Sequence, residues 1–173
     1  IASISAVDIA LWDIAGKVLK QPVYSLIGGA CRKQIPAYAS GLFKKELADN
    51  TAALQDEARR YVDAGFAAVK MKIGFGAEYD LKNVRAVREA IGAQTLFAVD
   101  ANCAYDVGTA LDIGYKIADQ DLYWYEEPVA PDEIEGYREI RQKLPLRIAG
   151  GEQLAGRWAF RDPIQNRCLD IVQ

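Results

Sequence analysis

Short apolar runs alternate with helix-patterned stretches from residue 34 to the end of the sequence. This alternation limits the possible folds more than any other feature. The runs are Gln34–Gly41, Ala67–Ile73, Leu96–Asn102, Leu122–Pro128, Leu146–Glu152 and Leu169–Gln173. Their lengths, and the polar, Gly or Pro residues that bound them, suit buried parallel strands. Between them the apolar period becomes helical. Leu54, Ala58, Tyr61 and Val62 share one face before Gly65, and Val84, Val87 and Ile91 share another before Gly92. Asp106 and Asp132 are expected to cap the helices that follow them. Strand then helix, repeated at a nearly even spacing, predicts an α/β fold with a parallel sheet and outer helices. The even spacing favours a (β/α)₈ TIM-type barrel over an open doubly wound sheet.

Six strands are counted where a closed barrel needs eight, so the sequence reads as part of a longer barrel protein. Residues 34–173 are expected to form the N-terminal part of the barrel domain. Residues 1–33 are expected to form a helical segment linking to a capping domain upstream. In that segment Ile4, Val7, Leu11, Ile14 and Val18 make one apolar helical face.

Composition removes several function classes. With 21 basic and 24 acidic residues the net charge is −3, which offers no attraction for nucleic acid. No apolar run is long enough to span a membrane. The chain has no histidine, so no His-based triad or His-containing zinc site exists within it. Its three cysteines, Cys31, Cys103 and Cys168, show no CxxC spacing, which argues against a disulfide framework and for a reducing, cytoplasmic setting.

Chemistry-bearing residues gather at the C-terminal ends of the expected strands, where barrel active sites lie. Lys70 and Lys72 end the second strand, Asp100 and Asn102 the third, Glu126 and Glu127 the fourth and Glu152 the fifth. Asp100 and Glu126 are 26 residues apart, and so are Glu126 and Glu152. Each step is one βα unit, which would set three carboxylates side by side. A single such acid is better explained as a cap for the next helix. Three at one level repel one another unless a cation lies between them, and oxygen ligands alone favour Mg²⁺.

Lys70 and Lys72 are two apart and so face the same way on a strand. A KxK pair is ordinarily solvated, but here apolar neighbours flank it, and buried ammonium groups need anions nearby. Desolvation and a neighbouring cation are expected to lower a lysine pKa, as a lysine base requires. Glu127 is expected to face the helices in a supporting role. Trp124 is assigned to the core, and Cys103 to inert packing. The stretch KIGFG does not make a phosphate-binding loop.

The stretches SAVDIALWDIAGK, VKMKIG, VDAN, WYEEP and AGGE together resemble the mandelate racemase branch of the enolase superfamily. The resemblance runs over essentially the whole chain. It implies that Asp100, Glu126 and Glu152 bind Mg²⁺, with Glu152 in third place as in the racemase and dehydratase branch. It also implies that Lys72 is the general base, that Lys70 is its partner near the substrate carboxylate, and that Asn102 lies near substrate or metal. The reaction implied is removal of the α-proton of a carboxylate substrate, a hydroxy acid or acid sugar, through an enediolate. Such an intermediate is dianionic, and a divalent cation beside an ammonium offsets its charge. The branch further implies a His–Asp dyad on later strands as the second acid/base.

The expected activity is that of a mandelate racemase-like isomerase or acid-sugar dehydratase. A sugar-acid lactone cycloisomerase and a non-catalytic binding barrel stand as alternatives, the latter disfavoured by the retained lysines and acids. The expected partners are a small-molecule carboxylate and further copies of the chain, with neither nucleic acid nor membrane.

Overall fold

The structure, a computed structural model, describes residues 2–46 and 50–173. Residues up to Pro36 form one compact unit and Ala37–Gln173 form another.

The first unit holds helices α1 (Ala2–Leu19) and α2 (Val23–Leu26). α1 ends where Lys20 turns left-handed at φ 53°. The Gln21 N–H then donates to Gly16 O and the Lys20 N–H to Lys17 O, which satisfies the last carbonyls of the helix. Ile4, Val7, Leu11, Ile14 and Val18 are all exposed. No described helix is long and apolar enough to cross a membrane.

The second unit is a six-stranded sheet. Its strands are β1 (Ala39–Gly41), β2 (Ala68–Lys72), β3 (Leu96–Asp100), β4 (Leu122–Glu126), β5 (Ile148–Gly150) and β6 (Ile171–Val172). All pairings are parallel, and the spatial order is the chain order. Between them run α3 (Asn50–Asp63), α4 (Ala77–Ile91), α5 (Val107–Ile117), α6 (Ile134–Lys143) and the short α7 (Gly156–Ala159) and α8 (Arg161–Gln165). Five consecutive βα steps in one direction, joining six strands, make the partial (β/α)₈ architecture expected from the sequence.

Alternation along the strands divides the sheet into two faces. Val69, Met71, Phe97, Val99, Tyr125 and Ile148 pack with Leu54, Val84, Val87, Ile113 and Ile140 of the helices in the main core. The opposite face holds a smaller cluster of Ala98, Trp124 and Ala149. Lys70, Lys72, Asp100 and Glu126 share the parity of that second face.

The helix ends follow local chemistry. Gly65, at φ 88°, closes α3 with its N–H on Val62 O, while the Phe66 N–H reaches Tyr61 O. Gly92, at φ 71°, ends α4. Asp106 caps α5 by accepting from the Thr109 N–H at 2.8 Å. Asp132 does not cap α6. The helix starts at Ile134 with Glu133 in the cap position and no side-chain cap bond.

The strands are shorter than expected. β1 lacks residues 34–38 because Pro36 has no N–H to donate to a ladder, and pairing with β2 starts only at Ala39. β3, β4 and β5 stop at 100, 126 and 150 because Asn102 (φ 44°), Glu127 (φ 37°) and Gly151 (φ 118°) swing the chain out of the sheet.

Candidate metal centre

The strand register brings the predicted residues together. Lys72 pairs with Asp100, Asp100 with Glu126, and Glu126 with Ala149. The helix-free face at the C-terminal end of β2–β4 therefore carries an ammonium and two carboxylates side by side. Glu152 reaches the same place by another route. It lies on a turn beyond β5, brought back by Gly151, where a Cβ would meet Gln173 O at 2.8 Å and the Phe160 ring at 2.9 Å. Ligand oxygens of Asp100, Glu126 and Glu152 all lie within 4.8 Å of one another. Asp100 and Glu126 are fully buried, and Glu152 is exposed.

The lysines supply the counter-charge. Lys70 Nζ donates to Glu126 Oε1 at 2.6 Å and to Asp100 Oδ2 at 3.1 Å. Lys72 Nζ donates to Asp100 Oδ2 at 2.5 Å and to Asn102 Oδ1 at 2.7 Å. The Asn102 N–H returns a bond to Asp100 Oδ1 at 2.9 Å. Burial raises the Asp100 pKa, but the bonds from Lys72 and the Asn102 N–H and the charge of Lys70 outweigh it and hold the carboxyl below its ordinary range.

The expectation of a lowered lysine pKa fails for Lys70. Burial does pull its ammonium towards neutrality, yet the Glu126 bond and the Asp100 and Glu126 charges push it up to about 12. Lys70 is a fixed cation in this setting. Lys72 is the more open of the two, with 14% of its side chain exposed against 7%.

Trp124 keeps its core assignment, whereas Glu127 and Cys103 differ from theirs. Trp124 is core, but its indole N–H also donates to Glu126 Oε2 at 2.8 Å, fixing the oxygen that Lys70 leaves free. Tyr38 meets Trp124 edge-on at 5.3 Å and lies 5.7 Å beneath Lys70 Nζ. Glu127 contacts the loops beyond β3 and β5, accepting from Gln153 Nε2 at 3.1 Å and Cys103 Sγ at 3.4 Å. Cys103 is therefore a hydrogen-bonded thiol, pushed up to about 11 by burial and the Glu127 charge. Alternation placed Asp100 and Glu126 correctly. It misjudged Glu127, because a positive φ breaks the two-residue period.

The loops after β1 and β2 flank the site. Asp80 is a buried carboxylate in the first turn of α4. It accepts from the Phe75 and Gly76 N–H groups and, at 2.7 Å, from the Tyr105 hydroxyl. Gly74 is required there. At φ 98° its hypothetical Cβ would sit 2.7 Å from Ala104 Cβ and 2.9 Å from Ala101 O. Leu42 and Lys45 of the other loop are tied to Glu57, and Phe43 lies 5.9 Å from Lys72 Nζ.

Three carboxylates converging with no sulfur or imidazole fit a hard divalent cation, and two ammonium groups already pair with Asp100 and Glu126. Known proteins resemble this chain in sequence and in fold. Residues 53–173 match the family described as enolase C-terminal domain-like, and residues 1–28 match the mandelate racemase / muconate lactonizing enzyme N-terminal domain. The chain belongs to the mandelate racemase / muconate lactonizing enzyme family of the enolase superfamily.

Within this family the chain is 39% identical to the D-galactarolactone cycloisomerase of Agrobacterium fabrum over 173 residues, which is all of this chain and 46% of that one. It is 40% identical to the arabinonate dehydratase of Saccharolobus solfataricus over 174 residues, again all of this chain and 46% of the relative. The crystal structure of a racemase from Streptomyces coelicolor with bound magnesium superposes with a TM-score of 0.87 at 37% identity, covering 98% of this chain and 50% of that one. The chain thus spans about half the length of the curated relatives it matches.

Proposed function

We propose that the full-length protein removes the α-proton of an acid sugar or its lactone, with Mg²⁺ held by Asp100, Glu126 and Glu152 and with Lys72 as the base. The observation that carries this reading is the convergence of three carboxylates within 4.8 Å beside two lysines on one face of the sheet. A cation-only binding site needs the acids but not the lysines, and a buried KxK is costly without a use for it.

Bound Mg²⁺ would act as a Lewis acid, offsetting charge that develops on the substrate carboxylate. The remaining work falls to the chain. Lys72 takes the α-proton, and Asp100 and Asn102 hold the resulting ammonium in place. Lys70 stays charged and provides a fixed positive field beside the growing dianion. Trp124 keeps one Glu126 oxygen bonded so that the carboxylate does not rotate.

Proton removal is the step shared by several outcomes. Loss of a β-hydroxyl gives dehydration, and expulsion of a ring oxygen gives cycloisomerisation. The named relatives, a galactarolactone cycloisomerase and an arabinonate dehydratase, support acid sugars over aryl hydroxy acids.

The test is incubation of the full-length protein with Mg²⁺ in D₂O against aldonates, aldarates and their lactones. Deuterium at the α-carbon, or a keto-deoxy or ring-opened product, is expected for at least one of them. Lys72→Ala should abolish exchange at one face while Mg²⁺ still binds. A Mg²⁺-loaded protein that exchanges no α-proton across the panel overturns the reading in favour of a binding barrel.

A further inference from the structure

The acid next to Glu126 has no part in the chemistry above, and its contacts are specific. Glu127 is fully buried where β4 ends, at φ 37°. Its N–H donates to Ala149 O at 3.0 Å, and its O accepts from the Cys103 N–H at 2.7 Å. Its Oε2 takes two side-chain bonds, from Gln153 at 3.1 Å and from Cys103 at 3.4 Å. Gln153 Nε2 is also 3.1 Å from Cys103 Sγ, which closes a triangle. The other oxygen, Oε1, is buried with no hydrogen-bond partner among the described residues.

The three candidate ligands are held unequally. Asp100 and Glu126 are ladder partners clamped by Lys70, and Glu126 has Trp124 as well. Glu152 is exposed on a turn, and its side chain makes no hydrogen bond or ion pair among the described residues. The next side chain, Gln153, is tied down, and its tie is Glu127. Cys103 follows Asp100 on the loop from β3 and is tied to the same oxygen. One buried carboxylate therefore joins the segments that leave all three ligand-bearing strands.

We propose that Glu127 is a positioning residue for the metal. Through Gln153 and Cys103 it presets the Glu152 turn against Asp100 and Glu126, so that the ion meets a formed site. Without that tie the Glu152 turn would have to be ordered during binding, at an entropic cost that appears as lost affinity. The proposal rests on the metal reading above.

The test measures Mn²⁺ affinity of the full-length protein by the electron paramagnetic resonance signal of the free ion, with folding followed by circular dichroism. Glu127→Ala should weaken Mn²⁺ by about 10- to 100-fold, the usual effect of removing a partner that orients a ligand. Glu127→Gln keeps an oxygen that can accept both bonds and should retain most of the affinity. Gln153→Ala changes only an exposed side chain, so it reports even if the buried variants misfold, and it should weaken Mn²⁺ several-fold. The double variant Glu127→Ala/Gln153→Ala should lose no more than Glu127→Ala alone, because both remove one tie. A folded Glu127→Ala within about twofold of the unmodified protein overturns the proposal. So does Gln153→Ala without effect, or Glu127→Gln as weak as Glu127→Ala, which would assign the effect to charge. Failure of the unmodified protein to bind Mn²⁺ would instead sink the metal reading itself.

Discussion

Lys70 stands between two carboxylates that are both shut off from water. In the metal-free protein its ammonium is the main counter-charge for Glu126, and Asp100 shares it with Lys72. Removing one partner of a buried pair leaves an uncompensated charge and is strongly destabilising. Lys70→Met should therefore lower the unfolding free energy by about 3 kcal/mol in chelator, measured by urea denaturation. Saturating Mn²⁺ should restore much of that loss, since the ion supplies the missing positive charge. Equal losses with and without Mn²⁺ would show that the lysine and the metal do not share these oxygens. At this scale the sequence was readable where strand alternation holds. Lys70, Lys72, Asp100 and Glu126 fall on one face because each is an even number of residues along its strand. The bond from Trp124 to Glu126 was not readable. An indole in a core looks the same in sequence whether or not its N–H has a partner two residues away.

Two elements fix the frame around the site. At the end of the sheet away from it, Arg88 of α4 donates to the carbonyls of Gln120, Asp121, Gly92 and Thr95 and stacks 5.2 Å from the Phe97 ring. Lysine cannot reproduce that fork. Arg88→Met should cost about 2 kcal/mol of stability, read by urea denaturation, with Mn²⁺ affinity unchanged. Beside the site, Glu57 of α3 holds the loop after β1 through the Leu42 N–H and Lys45, while the Tyr61 hydroxyl of the same helix steadies its carboxylate. Burial raises its pKa, but the bonds from Lys45, Leu42 and Tyr61 prevail and leave it below the ordinary 4.5. A depressed folded pKa gives stability that is present above the unfolded value and fades as pH falls through the folded one. The protein should therefore lose stability below about pH 4.5 more steeply than Glu57→Gln does, as urea midpoints between pH 6 and pH 3 would show. The elements themselves were legible from apolar period. Their ends were not, because Pro36 delays β1 and the left-handed residues Asn102, Glu127 and Gly151 end three strands early.

Over the Ala37–Gln173 unit, the repeat of strand and helix is legible in the sequence, because each βα step buries the same kind of apolar stripe. The place of Glu152 was only partly visible. The second interval of 26 residues points to a residue that does join the cluster, yet Glu152 sits on a turn rather than on the strand, and the positive φ of Gly151 accounts for its return. Because the strand order equals the chain order, each new strand finds its neighbour already made. During synthesis, at about 5–20 residues per second, one βα unit emerges every few seconds and can dock on the last. The residues of the site then leave the ribosome in a fixed sequence, Lys72, Asp100, Glu126 and Glu152. Ribosome-stalled chains should gain protease resistance in steps of one βα unit, and only those extended past Gln153 should retain Mn²⁺ through washing. Until the fifth strand arrives, Lys70 and Lys72 together keep the two buried acids neutralised, so the nascent chain can wait for its last ligand without an ion.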